Sequence, residues 1–579
     1  MRRRDFLATC GAATYGSLSN SFGVNGNELD SANLQPRLDR QRLRARNNNR
    51  STVVCQNGIV CASQPLAAMA GIDILKAGGN CVDAAICTNA MLGLTEPASC
   101  GIGGDLFAIL WIEKEKCLFG LNASGRAPYD WNLEKAQSLG LSSIPRTSPL
   151  SWSVPGCVSG WGELNKRFGK FSLAQNLESA IHYARQGFPI SPIITEHFEF
   201  DPQAAPDLAK IYYPDGRRRN YGEVLKNPLL ANSYEQIAKG GADAYYRGDI
   251  SARIVARSKQ LGGFMALKDL QDHSATWVDP VSSSYRGWDV WEIPPNGQGI
   301  AALQILNLLE HFDIPSLQPN SAEHLHLFIE AKKLAFEDRA QYYADPEFAD
   351  VPIDWLISKE YAKKRVKLID RKSARQKIKF GDPALGTDTV YLAAADDEGN
   401  MISLIQSNYH GYGSTICPEG VGFAIQNRGQ AFSLDPKHRN RLQPHKRPFH
   451  TIIPAFLTRN GRPIMPFGVM GGDFQPQGHA QVLMNMLDFG MSPQQAGDQP
   501  RVSHSGSSHP WGGKSRDGGS LTFENRFDPQ ILATLAKMGH SIRPAIGAHG
   551  GYQAIWRLDN PRRYFGGTDP RKDGAALGY

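Results

Sequence analysis

The stretch that decides the fold is GDPALGTDTVYLAAADDEGN, residues 381–400. Its TVYL segment, residues 389–392, favours extended structure, because β-branched and aromatic side chains pack well on a pleated sheet. A polar turn at residues 396–400 and a second apolar run, MISLIQ at residues 401–406, follow. The pattern predicts a β-hairpin whose first strand begins at Thr389.

A threonine in this position supports two interpretations. In most proteins it is only a good strand residue, with a hydroxyl too weakly acidic to attack a carbonyl. Cleavage of the Asp388–Thr389 bond would change its chemistry. The freed α-amine, with an unperturbed pKa of about 7.7–8.0, would lie on the same residue as the hydroxyl and could take its proton. One residue would then supply both nucleophile and base.

The segments around Thr389 resemble a known family. DTVYL, the hairpin turn, SLIQSN and GYGS resemble the start of the small subunit in the γ-glutamyltranspeptidase family, whose members are N-terminal-nucleophile (Ntn) hydrolases. The likeness runs from about residue 57 to residue 579 and includes GIDILKAGGNCVDAAI (residues 71–86) and GGTDPRKDGAALGY (residues 566–579). Both motifs are long and specific.

The resemblance implies an architecture and a processing step. The expected fold class is α+β, an αββα sandwich of four layers with two central sheets. The precursor is expected to cleave itself into a large piece, residues 53–388, and a small catalytic piece, residues 389–579. The family needs no cofactor and no metal, and its partner is a small-molecule amide.

The resemblance also assigns the chemistry to particular positions. Thr389 would be the nucleophile, with its own amine as base. In GVMGGD, residues 468–473, the backbone N–H groups of Gly471 and Gly472 would form the oxyanion hole, because glycine lets the backbone approach a tetrahedral oxygen closely. The sequence contains no G-x-S-x-G elbow, which argues against a serine hydrolase.

The substrate pocket departs from the family pattern. Ser407, Asn408 and Asn427 fall where the family holds the nucleophile and substrate. Arg428, however, lies where the family has Gln or Glu. Ala431 replaces the acidic residue that holds the α-amino group of a glutamyl substrate. With these changes the pocket would favour a negatively charged group over the ammonium group of a glutamyl substrate.

The expected grip on the substrate's α-carboxylate is altered as well. In KRPFHTIIPA, residues 446–455, His450 and Thr451 replace two serines of the family. Ser124 stands where the family has a carboxylate-binding arginine, and Arg126 follows two residues later. On a continuing strand, Arg126 would keep the same face and could still bind substrate. A structural ion pair is the equal alternative.

Three functions are therefore open. The first is cleavage of γ-glutamyl amides such as glutathione, with transfer of the acyl group to water or to an amino-acid or peptide acceptor. The second is a glutaryl or cephalosporin-type acylase with an altered acyl pocket. If Arg126, Arg428 and His450 bind a carboxylate without an ammonium neighbour, a glutaryl group is preferred. The third is an exported, non-catalytic binding protein.

The N-terminal residues resemble an export signal. Arg3 and Arg4, followed by an apolar segment of about a dozen residues, resemble a twin-arginine signal over residues 1–30. A basic leader, residues 31–52, comes next. Residues 1–50 hold nine arginines and four acidic residues, so they carry +5 of the formal net charge of +7. We expect a periplasmic or secreted protein with no membrane anchor after signal removal and no nucleic-acid partner.

Several local patterns make further predictions. VVCQNGIVCA, residues 53–62, predicts a hairpin around an Asn-Gly turn. Helices are expected at residues 65–77 and 82–94, the second capped by Asn80. The glycines of GIGG, residues 101–104, are expected to bring the backbone close to a neighbour. His324, His326 and Glu330 share one helix but show no further ligand cluster, so metal binding is not expected. Cysteine pairing stays open, with Cys55–Cys61 and Cys81–Cys100 as possible disulfides.

Overall fold

The structure is a computed structural model that describes residues 50–376, 388–513, 517–544 and 547–579, with only the backbone of Asp388. The predicted signal, nearly all of the basic leader and residues 381–387 of the opening motif lie outside the described residues. No helix in the described ranges is long and apolar enough to cross a membrane.

The hairpin predicted at Thr389 is confirmed. Its first strand covers Asp388–Ala395 and its second covers Met401–Tyr409, and the pair is antiparallel, with Ala395 opposite Met401. The turn is closed by Asp396, whose Oδ1 accepts hydrogen bonds from the backbone N–H groups of residues 398, 399 and 400. A carboxylate that caps successive N–H groups is a strong local turn signal.

The strands of the described chain are β1 (Val53–Cys55), β2 (Ile59–Ala62), β3 (Asp105–Ile112), β4 (Cys117–Ala123), β5 (Phe188–Pro189), β6 (Val224–Leu225), β7 (Thr276–Val278), β8 (Val281–Tyr285), β9 (Trp288–Glu292), β10 (Asp388–Ala395), β11 (Met401–Tyr409), β12 (Ala455–Arg459), β13 (Arg462–Met470), β14 (Val502–Ser505), β15 (Ser520–Phe523), β16 (Ile542–Arg543), β17 (Gly551–Leu558), β18 (Arg563–Thr568) and β19 (Ala575–Gly578).

The α-helices of the same ranges are α1 (Pro65–Lys76), α2 (Cys81–Thr95), α3 (Leu133–Ser138), α4 (Cys157–Phe168), α5 (Leu173–Gln186), α6 (Pro192–His197), α7 (Pro206–Tyr212), α8 (Pro228–Tyr246), α9 (Asp249–Gln260), α10 (Leu267–Gln271), α11 (Gly299–Leu309), α12 (Ala322–Tyr342), α13 (Ile353–Leu356), α14 (Lys359–Arg365), α15 (Gln475–Leu487), α16 (Pro493–Asp498) and α17 (Pro529–Lys537).

Two seven-stranded sheets form the centre of the molecule. The first has the order β19-β2-β10-β11-β3-β4-β7 and the second the order β1-β18-β17-β13-β12-β9-β8. A buried apolar layer joins the sheets, with Phe107 and Tyr391 from the first and Phe456 and Ile555 from the second. Because one side chain in two along each strand points into this layer, the other half must be covered from outside.

Helices cover both outer faces. Helices α1 and α2 belong to the apolar cluster on the outer face of the first sheet, and α11, α12 and α15 belong to the cluster on the outer face of the second. The layer order is therefore helix, sheet, sheet, helix. The predicted αββα arrangement of the α+β class is confirmed.

One predicted hairpin is wrong. β1 and β2 flank the Asn-Gly turn, but they do not pair with each other: β1 pairs with β18 in the second sheet, and β2 pairs with β10 and β19 in the first. The turn instead carries the chain from one sheet to the other. Its pairing partners lie hundreds of residues away, beyond the reach of a local pattern.

Two other local predictions hold. Helix α2 is capped by Asn80, whose side chain accepts from the backbone N–H groups of Val82 and Asp83. The close approach predicted for GIGG is also present. A Cβ on Gly104 would lie 2.4 Å from the Ser407 carbonyl oxygen, so any larger residue would push β11 away. In the described chain every cysteine is free, and the possible disulfides are absent.

Candidate active site

Thr389 is buried near the start of β10 and contacts one residue on β11 and one on α15. Its side chain is 2% exposed. The hydroxyl Oγ1 lies 3.3 Å from Ser407 Oγ on β11, to which it donates a hydrogen bond. Gln475 Nε2, at the first position of α15, donates to Thr389 Oγ1 across 3.5 Å. The hydroxyl of the predicted nucleophile is thus oriented by one neighbour on β11 and one on α15.

The Gly471-Gly472 turn directly precedes Gln475. Both glycines have positive φ, +121° and +57°, which links β13 to the short turn before α15. Gln298 fixes this turn, because its Nε2 donates to the carbonyl oxygens of both Gly472 and Thr451. Since Gln475 contacts Thr389, the chain brings the predicted oxyanion turn and the predicted nucleophile to the same place. The glycines' role as donors stays a prediction.

Gly471→Ala tests that role. A φ of +121° is strained for any residue with a Cβ, so the turn must shift, and the loss of one oxyanion donor typically lowers kcat about 10²–10³-fold. We expect a fall of that size in amide hydrolysis, measured by steady-state kinetics. Gly461→Ala is the matched control. It also has positive φ, but lies in the β12–β13 turn with open space around it, so kcat should not change. Equal loss in both variants would contradict the assignment.

Arg428 is the principal charged group near the predicted nucleophile, and Ser407 contacts both. It is fully buried, and one terminal nitrogen donates to Thr451 Oγ1 at 2.8 Å while the other donates to Ser407 Oγ at 3.4 Å. Its guanidinium stacks on the Tyr409 ring, 4.1 Å from the centroid. Burial lowers the pKa of the guanidinium to about 10, so it remains a cation near neutral pH.

This cation has unused hydrogen-bonding capacity. A guanidinium offers five N–H donors. Within the described residues, Arg428 uses two of them, its Nε is without a partner, and no carboxylate lies within 4.0 Å. A buried charge without a partner is costly, because it has lost its hydration. The arrangement fits a site that is completed by an anionic ligand.

His450 is committed to the protein rather than to a ligand. Its Nδ1 accepts from the Ile452 backbone N–H, which leaves Nε2–H to donate to Asp105 Oδ2 at 3.0 Å. Burial, aided by the Arg428 charge, lowers the pKa of the imidazole to about 4. The ring is neutral at pH 7, and both nitrogens are occupied, so direct carboxylate binding by His450 finds no support in this geometry.

Asp105 accepts four hydrogen bonds and so connects several segments of the pocket wall. Its Oδ1 accepts from the backbone N–H groups of Gly125 and Gly156 and from Gln426 Nε2, while Oδ2 accepts from His450. The carboxylate is completely buried. The sequence offered one available signal, an acidic residue between two glycines and an apolar strand, which sequence reasoning did not use.

Arg126 takes part in an ion-pair network with two acidic residues. Its guanidinium donates to Glu347 Oε1 at 2.9 Å and to the His445 carbonyl oxygen at 3.3 Å, and it lies 3.7 Å from Asp345. β4 ends at Ala123, so the premise that Arg126 continues the strand face is wrong. The geometry agrees with the structural ion pair that the sequence left open.

The three remaining predicted pocket residues differ in availability. Thr451 accepts from Arg428 and lies beside the pocket. Asn427 uses both ends of its amide, accepting from the His410 backbone N–H and donating to the Arg146 carbonyl. Asn408 donates to the Pro97 carbonyl, while its Oδ1 is buried without a partner in the described chain. Ala431 is buried and provides no acidic group.

Besides Asp105, sequence reasoning missed three residues that position groups in the site. Gln475 contacts Thr389, and Tyr409 supports the Arg428 guanidinium. Asp473, the residue after the Gly-Gly pair, forms an ion pair with the buried Arg339, which also donates to Gln298 Oε1. Nothing in a single sequence distinguishes Gln475 from an ordinary helix-start residue, since its role depends on where α15 lies.

His326 of α12 forms hydrogen bonds with His540 and with a backbone carbonyl. His326 Nδ1 lies 2.8 Å from His540 Nε2, and His326 Nε2 lies 2.7 Å from the Asp370 carbonyl oxygen. Glu330 is near enough to complete a three-residue group, but it pairs with Lys333. His324 accepts from the Asn320 backbone N–H instead. These contacts account for every nitrogen of His326 without a metal.

Comparisons with known proteins identify the family of this chain. The family model described as gamma-glutamyltranspeptidase matches residues 67–579. The glutathione hydrolase-like YwrD proenzyme of Bacillus subtilis is 37% identical over 91% of this chain and 99% of its own length. The oxamate amidohydrolase proenzyme of Klebsiella pneumoniae subsp. pneumoniae is 32% identical over 91% and 100%.

A solved structure shows the same fold. The cephalosporin acylase from Bacillus halodurans superposes with a TM-score of 0.84 and 42% identity, covering 92% of this chain and 97% of the acylase. The relatives are amide-cleaving proenzymes, which favours an enzyme over the non-catalytic binding protein. This chain, an amide-cleaving enzyme made as a precursor of two subunits, belongs to the γ-glutamyltranspeptidase family of Ntn hydrolases.

Proposed function

We propose that the precursor is cut between Asp388 and Thr389 by the threonine itself. Thr389 Oγ1 attacks the Asp388 carbonyl carbon and forms a C–O bond. The C–N bond then breaks as the hydroxyl proton passes to the nitrogen, which leaves an ester and a free α-amine. Water then hydrolyses the ester, releasing the Asp388 carboxylate and restoring the hydroxyl. The buried contact of Thr389 with Ser407 and Gln475 supports this assignment.

In the mature enzyme the same hydroxyl attacks the substrate amide. The α-amine of Thr389 takes the Oγ1 proton, and the N–H groups of Gly471 and Gly472 stabilise the oxyanion. The leaving amine takes the proton as the C–N bond breaks. Water, or an amine acceptor, then attacks the acyl-enzyme ester and releases the acid or the transferred acyl group.

The acyl group that the pocket fits best carries a carboxylate and no ammonium, as a glutaryl group does. The observation that carries this proposal is the buried Arg428, which has unused donors and contacts Ser407 beside the nucleophile. Arg428 can bind a carboxylate through two parallel hydrogen bonds. An acceptor for a substrate ammonium is missing at Ala431.

A γ-glutamyl amide is the second candidate. It is favoured by the relatives that are named glutathione hydrolases, including one from Escherichia coli that is 28% identical. Against it, Asp105 and Asp473 already accept hydrogen bonds from protein donors, Asp105 from His450 and Asp473 from Arg339. A substrate ammonium would also lie close to the Arg428 cation, which disfavours it electrostatically.

The two candidates are separated by one comparison. We expect kcat/KM for glutaryl-p-nitroanilide to exceed that for γ-glutamyl-p-nitroanilide, because the two differ only in the α-ammonium. Release of p-nitroaniline by the cleaved enzyme measures both. Equal or faster turnover of the γ-glutamyl compound would overturn the carboxylate-only assignment and restore the second candidate.

For location, we propose export through the twin-arginine route, supported by Arg3 and Arg4 ahead of an apolar segment. The mature protein would then be periplasmic or secreted. Fractionation of cells that produce the full chain tests this, with an Arg3→Lys, Arg4→Lys chain as control. We expect the wild-type enzyme outside the cytoplasm and the double variant retained within it.

A further inference from the structure

The nucleophile and the buried cation are separated by one hydroxyl group. Ser407 Oγ lies 3.3 Å from Thr389 Oγ1 and 3.4 Å from a terminal nitrogen of Arg428. The distance between the nucleophile and the guanidinium therefore cannot exceed the sum of these two. All three side chains are buried, so bulk solvent screens the charge only weakly. At such a separation in a buried site, a unit charge affects the ionisation of its neighbour strongly.

The α-amine of the mature Thr389 would lie on the same residue as Oγ1, so it would experience that charge. A neighbouring cation disfavours the protonated amine, so Arg428 without a bound carboxylate should lower the pKa of the amine below its unperturbed value of about 7.7–8.0. A substrate carboxylate that binds Arg428 neutralises the cation. The pKa of the amine then rises, and the amine becomes the stronger base once the correct substrate is in place.

The other titratable groups around Arg428 are His450, Tyr409, Asp473 and Asp105, and the pKa values of the first three are shifted away from neutral pH. Burial lowers the pKa of His450, on the segment before β12, to about 4. Burial raises the pKa of Tyr409, on β11, far above its usual value. The pKa of Asp473, after β13, stays below its usual value because Arg339 and His509 offset its burial. Asp105, on β3, is held by four hydrogen bonds.

We propose that Arg428 determines specificity twice: it anchors the carboxylate of the acyl group, and through its charge it couples occupation of that anchor to the basicity of the Thr389 amine. The inference rests on the proposed function, in which that amine is the base. Arg428 is a substrate-binding residue in the first role and acts through its electrostatic field in the second. A carboxylate-bearing substrate is thereby favoured in kcat as well as in binding.

The pH profiles of the wild-type enzyme test the coupling. The acidic limb of kcat/KM reports the amine in the free enzyme, and that of kcat reports it in the substrate complex. For glutaryl-p-nitroanilide we expect the acidic limb of kcat to fall at a pH about one unit above that of kcat/KM. For butyryl-p-nitroanilide, whose acyl group is neutral, the two limbs should coincide.

Variants at Arg428 separate charge from shape. In Arg428→Met the charge is lost, so the kcat/KM limb for the butyryl compound should move up in pH relative to wild type, and the preference for glutaryl over butyryl should fall at least 10²-fold. Arg428→Lys keeps the charge but not the paired donors, so the limb should stay while the preference weakens. Arg247→Met removes an exposed arginine and should change neither quantity.

The outcomes distinguish the inference from the function beneath it. The coupling is overturned if the acidic limbs of kcat and kcat/KM for the glutaryl compound coincide in the wild type. It is also overturned if Arg428→Met leaves the acidic limb of kcat/KM for the butyryl compound at the same pH. In either case Thr389-dependent hydrolysis still stands. If the cleaved protein hydrolyses none of the amides, the proposed function itself is overturned. If Arg428→Met retains the preference for the glutaryl over the butyryl compound, Arg428 does not bind the acyl carboxylate.

Discussion

A Thr389→Ala chain is expected to remain a single polypeptide and to hydrolyse no amide. The methyl side chain of alanine offers no oxygen to attack the Asp388 carbonyl, and no other residue in the described site places a hydroxyl where Thr389 Oγ1 lies. The loss should reach the detection limit, since the nucleophile serves both cleavage and turnover. Electrophoresis under denaturing conditions follows cleavage, and p-nitroaniline release follows turnover.

Thr389→Ser is the matched control for that result. Serine keeps the hydroxyl but loses the methyl group that fixes the side-chain rotamer, so both reactions should continue at reduced rates. Cleavage at the same bond in the alanine chain would show that another nucleophile, or a contaminating protease, cuts the precursor. Hydrolysis by an uncleaved alanine chain would exclude Thr389 from catalysis.

Asp105→Ala is expected to be the most destabilising substitution in the pocket wall. The change leaves the N–H groups of Gly125 and Gly156 without an acceptor and removes the hydrogen-bond partner of His450. It also takes away a negative charge near the buried Arg428 cation. Breaking a buried charged network of this kind costs about 3–5 kcal/mol. We expect a fall of that size in the free energy of unfolding.

The measurement is a urea titration of the uncleaved Thr389→Ala chain with and without Asp105→Ala, so that single covalent chains are compared. Asp243→Ala is the control. Asp243 is an exposed partner of Arg247, and its loss should change the free energy of unfolding by less than about 0.5 kcal/mol. A similar small change for Asp105→Ala would mean that water replaces the carboxylate, and that Asp105 does not organise the pocket.

Local sequence patterns predicted the elements that position the nucleophile. The hairpin at Thr389, the cap at Asn80 and the close approach at Gly104 each follow from residues next to one another in the chain. The same reasoning failed for the turn at residues 57–58. Its flanking strands pair with β18 and β10, which only the assembled sheets bring near. Non-local pairing leaves no trace in a ten-residue pattern.

Some features of the substrate pocket could likewise be predicted from the sequence, and others could not. The charge reversal at Arg428 and the missing acid at Ala431 could be recognised from the sequence, because they replace residues at family positions. The commitment of His450 to Asp105 could not, since 345 residues separate the two. The sequence could not decide between the two roles left open for Arg126, because the answer depends on the end of β4 and on Glu347 from a distant segment.

The central claim is that Thr389 becomes the N-terminus of a catalytic subunit, and the mass of the purified wild-type protein tests it most directly. Intact-mass spectrometry under denaturing conditions should show two chains, one that ends at Asp388 and one that begins with Thr389 and extends to Tyr579. N-terminal sequencing of the smaller chain should read Thr-Val-Tyr-Leu-Ala. A single chain in folded, purified protein, or a smaller chain with any other first residue, would contradict the account.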